Sequence, residues 1–299
     1  MNTVFIVNPK AGQGKNIENL TKEIASSGAV YYITKSARDA ENFVRNYCKT
    51  KGPARFIACG GDGTLNEVLN GIAGFDAEIV VLPIGTGNDF CRNFQGDFHN
   101  IRTLIDAPCQ TIDVIRYTTN GNTRLCANMF NIGFDCNVAD MVVDMKTKPF
   151  ISGSLAYFMS ILVALIKKKG ANLKLEIDGK PFFDGPILLT SVANGKFCGG
   201  GIMSNPLSDI CDGYINVNVI YNIPRRKFIP LLPRYMKGTH IKLKNIEKYI
   251  YNTKCKKLKI TPNNPNFRIC VDGEIQDAGV VEFEILPKAV QFVTPKKDA

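Results

Sequence analysis

The sequence predicts an α/β N-terminal domain with a parallel sheet, joined to a second domain of mainly antiparallel β structure. Three observations carry this expectation. Short, continuously apolar runs alternate with helical spacing over the first 82 residues, the pattern of βαβ units around a buried parallel sheet. Three of those runs end in glycine-rich turns. From about Asp113 onward, strand-like runs are instead separated by turn dipeptides such as Asn120-Gly121 and Asp178-Gly179, which are hairpin signals.

Taken in order, Thr3 to Val7 is an apolar run ended by Asn8-Pro9 and reads as a strand. Asn16 to Ser26 has helical spacing, Val30 to Thr34 reads as a strand and Asp39 to Cys48 as a helix. Phe56 to Cys59 is a further strand, Leu65 to Ile72 a helix, and Ile79 to Leu82 a strand. Thr64 and Glu67 fit a capping box at the start of the Leu65 helix. In the second half, Thr111 to Tyr117 and Leu125 to Asn131 flank Asn120-Gly121, and Leu173 to Ile177 and Lys180 to Phe183 flank Asp178-Gly179. Ile187 to Ala193, Ile215 to Tyr221, Leu258 to Thr261, Phe267 to Val271 and Val280 to Leu286 supply further strands. The most apolar stretch, Ile151 to Ile166, is followed by Lys167 to Lys169 and predicts one helix near 153–168. It falls short of the roughly 20 residues a membrane span needs. These patterns divide the chain at residues 1–120 and 121–284, with residues 285–299 returning to complete the first domain.

The chain of 299 residues is 45% hydrophobic, enough for a sizeable core. Its 10 cysteines form no CxxC pair and its two histidines are far apart, so no zinc spacing is present and a reducing, cytoplasmic setting is expected. The net charge of +10 is uneven. Residues 1–125 carry 13 Lys/Arg against 12 Asp/Glu, and residues 126–299 carry 24 against 15. A basic second half suits an anionic surface.

The three glycine-rich turns are Asn8 to Lys15, Gly60-Gly61-Asp62-Gly63-Thr64, and Pro83 to Asp89 with Gly85, Thr86, Gly87 and Asn88. In a parallel sheet they gather at the carboxyl edge of the strands, where such sheets bind ligands. Glycines let backbone approach phosphate closely, and a helix start offers free N–H groups. A carboxylate at Asp62 inside such a turn implies Mg²⁺ coordination or proton transfer. Neither a Walker A loop nor a G-x-G-x-x-G fingerprint occurs. In the second half, Asp209 to Tyr214 and Asp272-Gly273-Glu274 are short acidic turns.

Gly60 to Val68, together with Asn8-Pro9, Gly12, Gly14-Lys15 and Pro83 to Phe90, resembles the signature of the diacylglycerol kinase catalytic domain family. That family includes bacterial lipid kinases and is related to sphingosine and ceramide kinases and, more distantly, to NAD kinases. The resemblance implies an NAD-kinase-like two-domain architecture, ATP and Mg²⁺ as cofactors, and transfer of the γ-phosphate to a lipid hydroxyl such as that of diacylglycerol. It implies a nucleotide site at Asn8, Lys15, Thr34, Gly60, Gly61, Asp62, Gly63, Thr64, Leu65, Asn66, Glu67, Gly85, Thr86 and Asn88, with Thr34 near the adenosine end. It places Glu274 as proton acceptor, Asp272 beside it as second candidate, and Asp62 in the catalytic set. It also implies a structural Mg²⁺ at Asp209, Asp212 and Tyr214. Many members carry two adjacent aspartates before that loop's glycine, whereas this chain has Cys211-Asp212. The expected partners are a membrane lipid substrate, met by peripheral contact with an anionic bilayer, and a second copy of the chain as an open option. No nucleic acid is expected, because Lys254, Lys256, Lys257 and Lys259 alternate partly with Leu258 and Ile260 as one solvated strand face. An NAD kinase would add a separate Asn-Glu pair after the sheet domain, and none follows Asn66-Glu67.

Overall fold

The computed structural model describes residues 1–14, 17–133 and 170–295. Four parallel strands, β1 (Thr3–Val7), β2 (Val30–Ile33), β3 (Arg55–Gly60) and β4 (Glu78–Pro83), lie in the spatial order β4-β3-β1-β2. Helices α1 (Ile17–Ser26), α2 (Asp39–Lys51) and α3 (Asp62–Ile72) connect them. β1, β3 and β4 are buried over nearly their whole length, which is why their apolar residues run on without alternation. α3 turns Leu65, Val68, Leu69 and Ile72 inward, each worth about 1.5–3 kcal/mol relative to exposure. α2 packs closely on it: a methyl group on Gly71 would come within 2.7 Å of the Val44 side chain.

A short helix, α4 (Ile101–Asp106), leads into the antiparallel half. That half comprises β5 (Cys109–Thr119), β6 (Asn122–Cys126), β7 (Met129–Gly133), β8 (Ala171–Ile177), β9 (Lys180–Ala193) and β10 (Ile215–Tyr221). After α5 (Arg225–Met236) come β11 (Ile250–Cys255), β12 (Lys257–Pro262), β13 (Arg268–Val271), β14 (Glu274–Asp277) and β15 (Val281–Val293). Three hairpins turn on residue pairs with positive φ: Asn120-Gly121, Asp178-Gly179 and Asp272-Gly273. Two such residues in succession make the turn whose twist matches the flanking strands. The third of these hairpins positions an acidic residue for the site described below.

β15 joins the two halves. It runs antiparallel to β5 and β12, then after an irregularity between Leu286 and Val290 pairs in parallel with β4 through Gln291 and Phe292. Val290, Phe292 and Val293 belong to the core of the first half, and Val281, Phe283 and Ile285 to that of the second. A third cluster packs Phe228, Leu231 and Tyr235 of α5 on Leu188, Leu189 and Ile220.

The fold class matches the expectation, with differences in detail. The run Lys180 to Ala193 is one strand, not two. α5 was not anticipated, because its Pro230 and Pro233 read as helix breakers. The expected helix near 153–168 and the Lys167 to Lys169 cluster lie outside the described residues. The capping box does not form: α3 begins at Asp62 with Gly61 as its cap. Glu67 instead accepts hydrogen bonds from the backbone N–H groups of Arg38 (2.9 Å) and Ala40 (3.2 Å), so its carboxylate serves the start of α2. Among the described residues, no helix is long and apolar enough to cross a membrane.

Candidate active site

The three glycine-rich turns meet at the carboxyl ends of β1, β3 and β4. A methyl group on Gly85 would lie 2.6 Å from the Gly61 Cα, and one on Gly12 would lie 2.6 Å from the Ile84 carbonyl oxygen. The turns therefore touch backbone to backbone, and at Gly12 and Gly85 any side chain would drive the neighbouring backbone apart. Gly85 N–H donates to the Gly60 carbonyl (3.1 Å), and Asn8 Nδ2 donates to Thr64 Oγ1 (3.1 Å). Asn88 Nδ2 donates to the carbonyls of Pro83 and Gly85. Gly61 to Thr64 thus opens α3, whose first-turn N–H groups have no intrahelical acceptor, an arrangement suited to phosphate.

Asp62 is fixed between two turns. Its Oδ2 accepts from the Asp89 N–H (3.0 Å) and its Oδ1 from the Phe90 N–H (3.1 Å). Asp89 is buried and accepts in turn from Gly200 and Gly201 N–H. Burial, reinforced by the Asp62 charge, raises the Asp89 carboxyl to about 6 against the pull of those donors. Both oxygens of each carboxylate are engaged by backbone N–H groups, and Arg92 Nε lies 3.6 Å from Asp89 Oδ1, so neither stands as a free Mg²⁺ ligand in this arrangement.

The acidic turn of the second half closes the cleft. Asp272 accepts from Met129 N–H (3.0 Å), Asn66 Nδ2 (3.2 Å) and the Cys126 thiol, whose Sγ lies 3.3 Å from both carboxylate oxygens. Burial lifts Asp272 to about 7, and the Asp62 charge adds to the rise, while the three donors oppose it. Asn66 also donates to the Leu125 carbonyl (3.2 Å), so α3 is tied directly to the β-rich half. Glu274 accepts no hydrogen bond from any described residue. Its Oε1 lies 2.7 Å from where a methyl on Gly63 would stand, directly over the start of α3. Desolvation in the cleft raises its pKa, as does Glu67, while Arg124 and Arg38 oppose the rise.

Other expected residues are placed differently. Leu65 is a core residue of α3, so only its backbone can face a ligand. Thr34 is buried at the end of β2 and its hydroxyl donates to the Val7 carbonyl (3.4 Å). Thr86 is exposed at the tip of the third turn. Lys15 lies outside the described residues.

The Asp209 to Tyr214 loop does not form an oxygen cage. Asp212 Oδ2 is paired with Lys254 Nζ at 2.5 Å, and its Oδ1 accepts from Tyr214 N–H (3.0 Å). Asp209 Oδ1 accepts from Cys211 N–H (3.0 Å). Asp113, wholly buried, anchors the loop by accepting from Gly213 N–H (2.6 Å) and Lys288 N–H (2.7 Å). Among the described residues, no three His, Cys, Asp or Glu side chains converge as a metal set. Asp209, Asp212 and Tyr214 as they stand do not fit a Mg²⁺ ion, because the carboxylate that would hold it is already paired with an ammonium group.

Four residues of this neighbourhood were missed in the sequence reading. Asp89 stands within the third turn's motif, where its acidity beside a phosphate site was the available signal. Cys126, Arg38 and Asp113 reach the site or its loop only through long-range folding, and nothing local marks them.

Glycine turns on an α/β sheet, facing a paired acidic turn on an antiparallel β domain, define a two-domain phosphotransferase. The chain matches the diacylglycerol kinase catalytic domain over residues 2–117 and the YegS C-terminal NAD kinase beta sandwich-like domain over residues 128–294. It belongs to the family of the YegS C-terminal NAD kinase beta sandwich-like domain, which spans more than half of the chain, matches the diacylglycerol kinase catalytic domain in its first part, and is a kinase. It is 25% identical over 301 residues to a diacylglycerol kinase of Mycobacterium tuberculosis, covering 97% of this chain and 94% of that one. The fold resembles a diacylglycerol kinase structure from Bacillus anthracis, with a TM-score of 0.70 and 21% identity over 98% of this chain and 96% of that one. It also resembles an NAD kinase from Archaeoglobus fulgidus in complex with ATP, with a TM-score of 0.51 and 12% identity over 99% and 94%.

Proposed function

We propose that this kinase transfers the γ-phosphate of ATP to the hydroxyl of a membrane lipid, diacylglycerol being the acceptor best supported, to give phosphatidic acid. The observation that carries the reading is the Glu274 carboxylate lying over Gly63, without a hydrogen-bond partner among the described residues, because it puts a proton acceptor against the phosphate turn. ATP as donor is supported by family membership and by the nucleotide in the Archaeoglobus neighbour.

In this reading the N–H groups of Gly61 to Thr64 hold the transferring phosphate. Glu274 takes the proton of the lipid hydroxyl as its oxygen forms the new O–P bond in line with the departing ADP oxygen. Its raised pKa makes it a stronger base than an ordinary carboxylate. Asp272, held by three donors, is a positioning residue that aligns the Asp272 to Glu274 turn on α3 through Asn66. Mg²⁺ bound with ATP would supply charge neutralisation on the phosphates, and Asp62 would reach it only by exchanging one of its N–H partners from Asp89 and Phe90.

The acceptor lies in a bilayer, so contact is read as peripheral. α5 suits this role. Phe228, Leu231 and Tyr235 are buried beneath it, while Arg226, Lys227, Ile229 and Arg234 are exposed. Each basic residue near an anionic surface contributes about 1 kcal/mol.

The test is a panel of lipid acceptors with labelled ATP, run on wild type and Glu274→Gln. Label should enter phosphatidic acid with wild type and be lost by a factor on the order of 10²–10⁴ in the variant. Faster labelling of NAD than of any lipid would reject the reading.

A further inference from the structure

The loop before β10 carries the carboxylates Asp209 and Asp212, and Asp113 of β5 packs against it through Gly213 N–H. Such a concentration of negative charge needs a counter-ion. The resemblance of the sequence to its family led to the expectation of a structural Mg²⁺ there. The side chains present give a different answer.

Mg²⁺ demands near-octahedral oxygen ligands at about 2.0–2.1 Å and tolerates little deviation. Asp212, the one carboxylate of the loop opposite β11, has both oxygens engaged: one by Lys254 Nζ at 2.5 Å, the other by Tyr214 N–H at 3.0 Å. Both Asp113 oxygens are used, by Gly213 and Lys288 N–H. Position 211 is a cysteine whose Sγ contacts the Thr111 carbonyl (3.5 Å). A thiol is a poor donor for a hard cation, so it adds neither a hard ligand nor a carboxylate charge to the loop. Lys254 is not a chance neighbour. It sits on β11 directly across from Asn216 of β10, and β10 starts one residue after Tyr214. The strand register therefore delivers its ammonium to the loop. Lys256, two residues on, places its own ammonium 5.8 Å over the Tyr214 ring, adding a second fixed positive charge. A dication next to these two ammonium groups would be repelled at close range.

We propose that Lys254 is the resident cation of this loop, so that the turn before β10 is held by an internal ion pair and its fold does not depend on a divalent ion. The chain needs Mg²⁺ only where it travels with the nucleotide. This inference stands apart from the choice of acceptor lipid, since it concerns the free protein.

The experiment follows thermal unfolding of the full chain without nucleotide, in EDTA and in excess MgCl₂ at matched ionic strength. Wild type, Asp212→Asn and Lys254→Met are compared, with Mn²⁺ binding followed by electron paramagnetic resonance. Wild type should show the same Tm in both buffers and the same Mn²⁺ signal as Asp212→Asn. Lys254→Met frees the Asp212 carboxylate. It should melt earlier in EDTA and recover on the order of a few degrees with Mg²⁺, as expected for a ligand that binds only the folded state. A wild-type Tm that rises with Mg²⁺, with that rise absent in Asp212→Asn, would overturn the proposal. The wild-type and Asp212→Asn arms decide the matter even where Lys254→Met fails to fold.

Discussion

Replacing Gly63 by alanine probes the contact between the two halves with a single methyl group. That methyl would stand 2.7 Å from Glu274 Oε1, whereas ordinary contact begins near 3.4 Å. The carboxylate must therefore withdraw by about 0.7 Å, which it can do because it ends a flexible side chain. Misplacement of a reacting group by about 1 Å costs roughly 10²-fold in rate, so kcat should fall on the order of 10- to 100-fold, or about 1.4–2.7 kcal/mol in barrier. Stability should move the other way. Gly63 does not have a positive φ and lies in the first turn of α3, where alanine is the better helix former by up to about 1 kcal/mol. The assay is steady-state phosphorylation with ATP and acceptor varied separately, alongside thermal unfolding. A slower enzyme with an equal or higher Tm is expected. A folded variant with unchanged kcat would refute the placement of Glu274 at the reacting hydroxyl. A change confined to the KM for ATP would mean that Gly63 serves only the approach of phosphate.

Asp62→Ala should abolish activity and also lower stability, by about 1–3 kcal/mol for each stranded N–H group of Asp89 and Phe90. Asp62→Asn, which keeps one acceptor oxygen, should separate the two losses in unfolding curves. Activity should fall as pH drops through about 7, where Asp272 takes up a proton. Cys126→Val removes a donor that favours the ionised form and should move that limb to higher pH, while Cys126→Ser should restore it in a pH–rate profile. For stability the sign is reversed: the proton on half-buried Asp272 is a stabilising contribution present below its ordinary value of 3.8 and lost as pH rises through about 7. Charge reversal at Arg226 and Lys227 should weaken sedimentation with anionic vesicles and leave the KM for ATP unaltered. Equal wild-type binding to neutral vesicles would show that α5 is only a solvated surface.

The parts of this molecule that could be read in advance were those whose cause is local. Continuous burial forces β1, β3 and β4 to be apolar throughout, and positive φ at Asn120-Gly121 and Asp178-Gly179 leaves a dipeptide signature. The glycine turns could be read because close backbone approach admits no other residue. Glu67 shows where such reading stops. Its spacing from Thr64 suggested a cap within one helix, yet the orphan N–H groups it satisfies belong to α2, 27 to 29 residues away. Spacing identifies a carboxylate in need of donors but not which donors the fold brings to it. The same holds for Asp212: its turn was visible in the sequence, but its partner Lys254, 42 residues on, depends on the register of β10 with β11. α5 was hidden for a third reason. Its prolines argue against a helix locally, and the packing of Phe228, Leu231 and Tyr235 on the sheet outweighs them.

The course of β15 bears on how the chain is made. Phe292 is fully buried, stacks on Phe94 at 4.5 Å and meets the edge of Phe90 at 5.3 Å. The α/β half thus precedes the β-rich half in the chain but receives core residues from positions 290–293. Until those emerge from the ribosome, the edge of β4 and the Phe90–Phe94 pair stay uncovered, exposing a sticky sheet margin for most of synthesis. The core of the first half therefore cannot close before residues 290–293 are available, which couples its packing to that of the second half through β15.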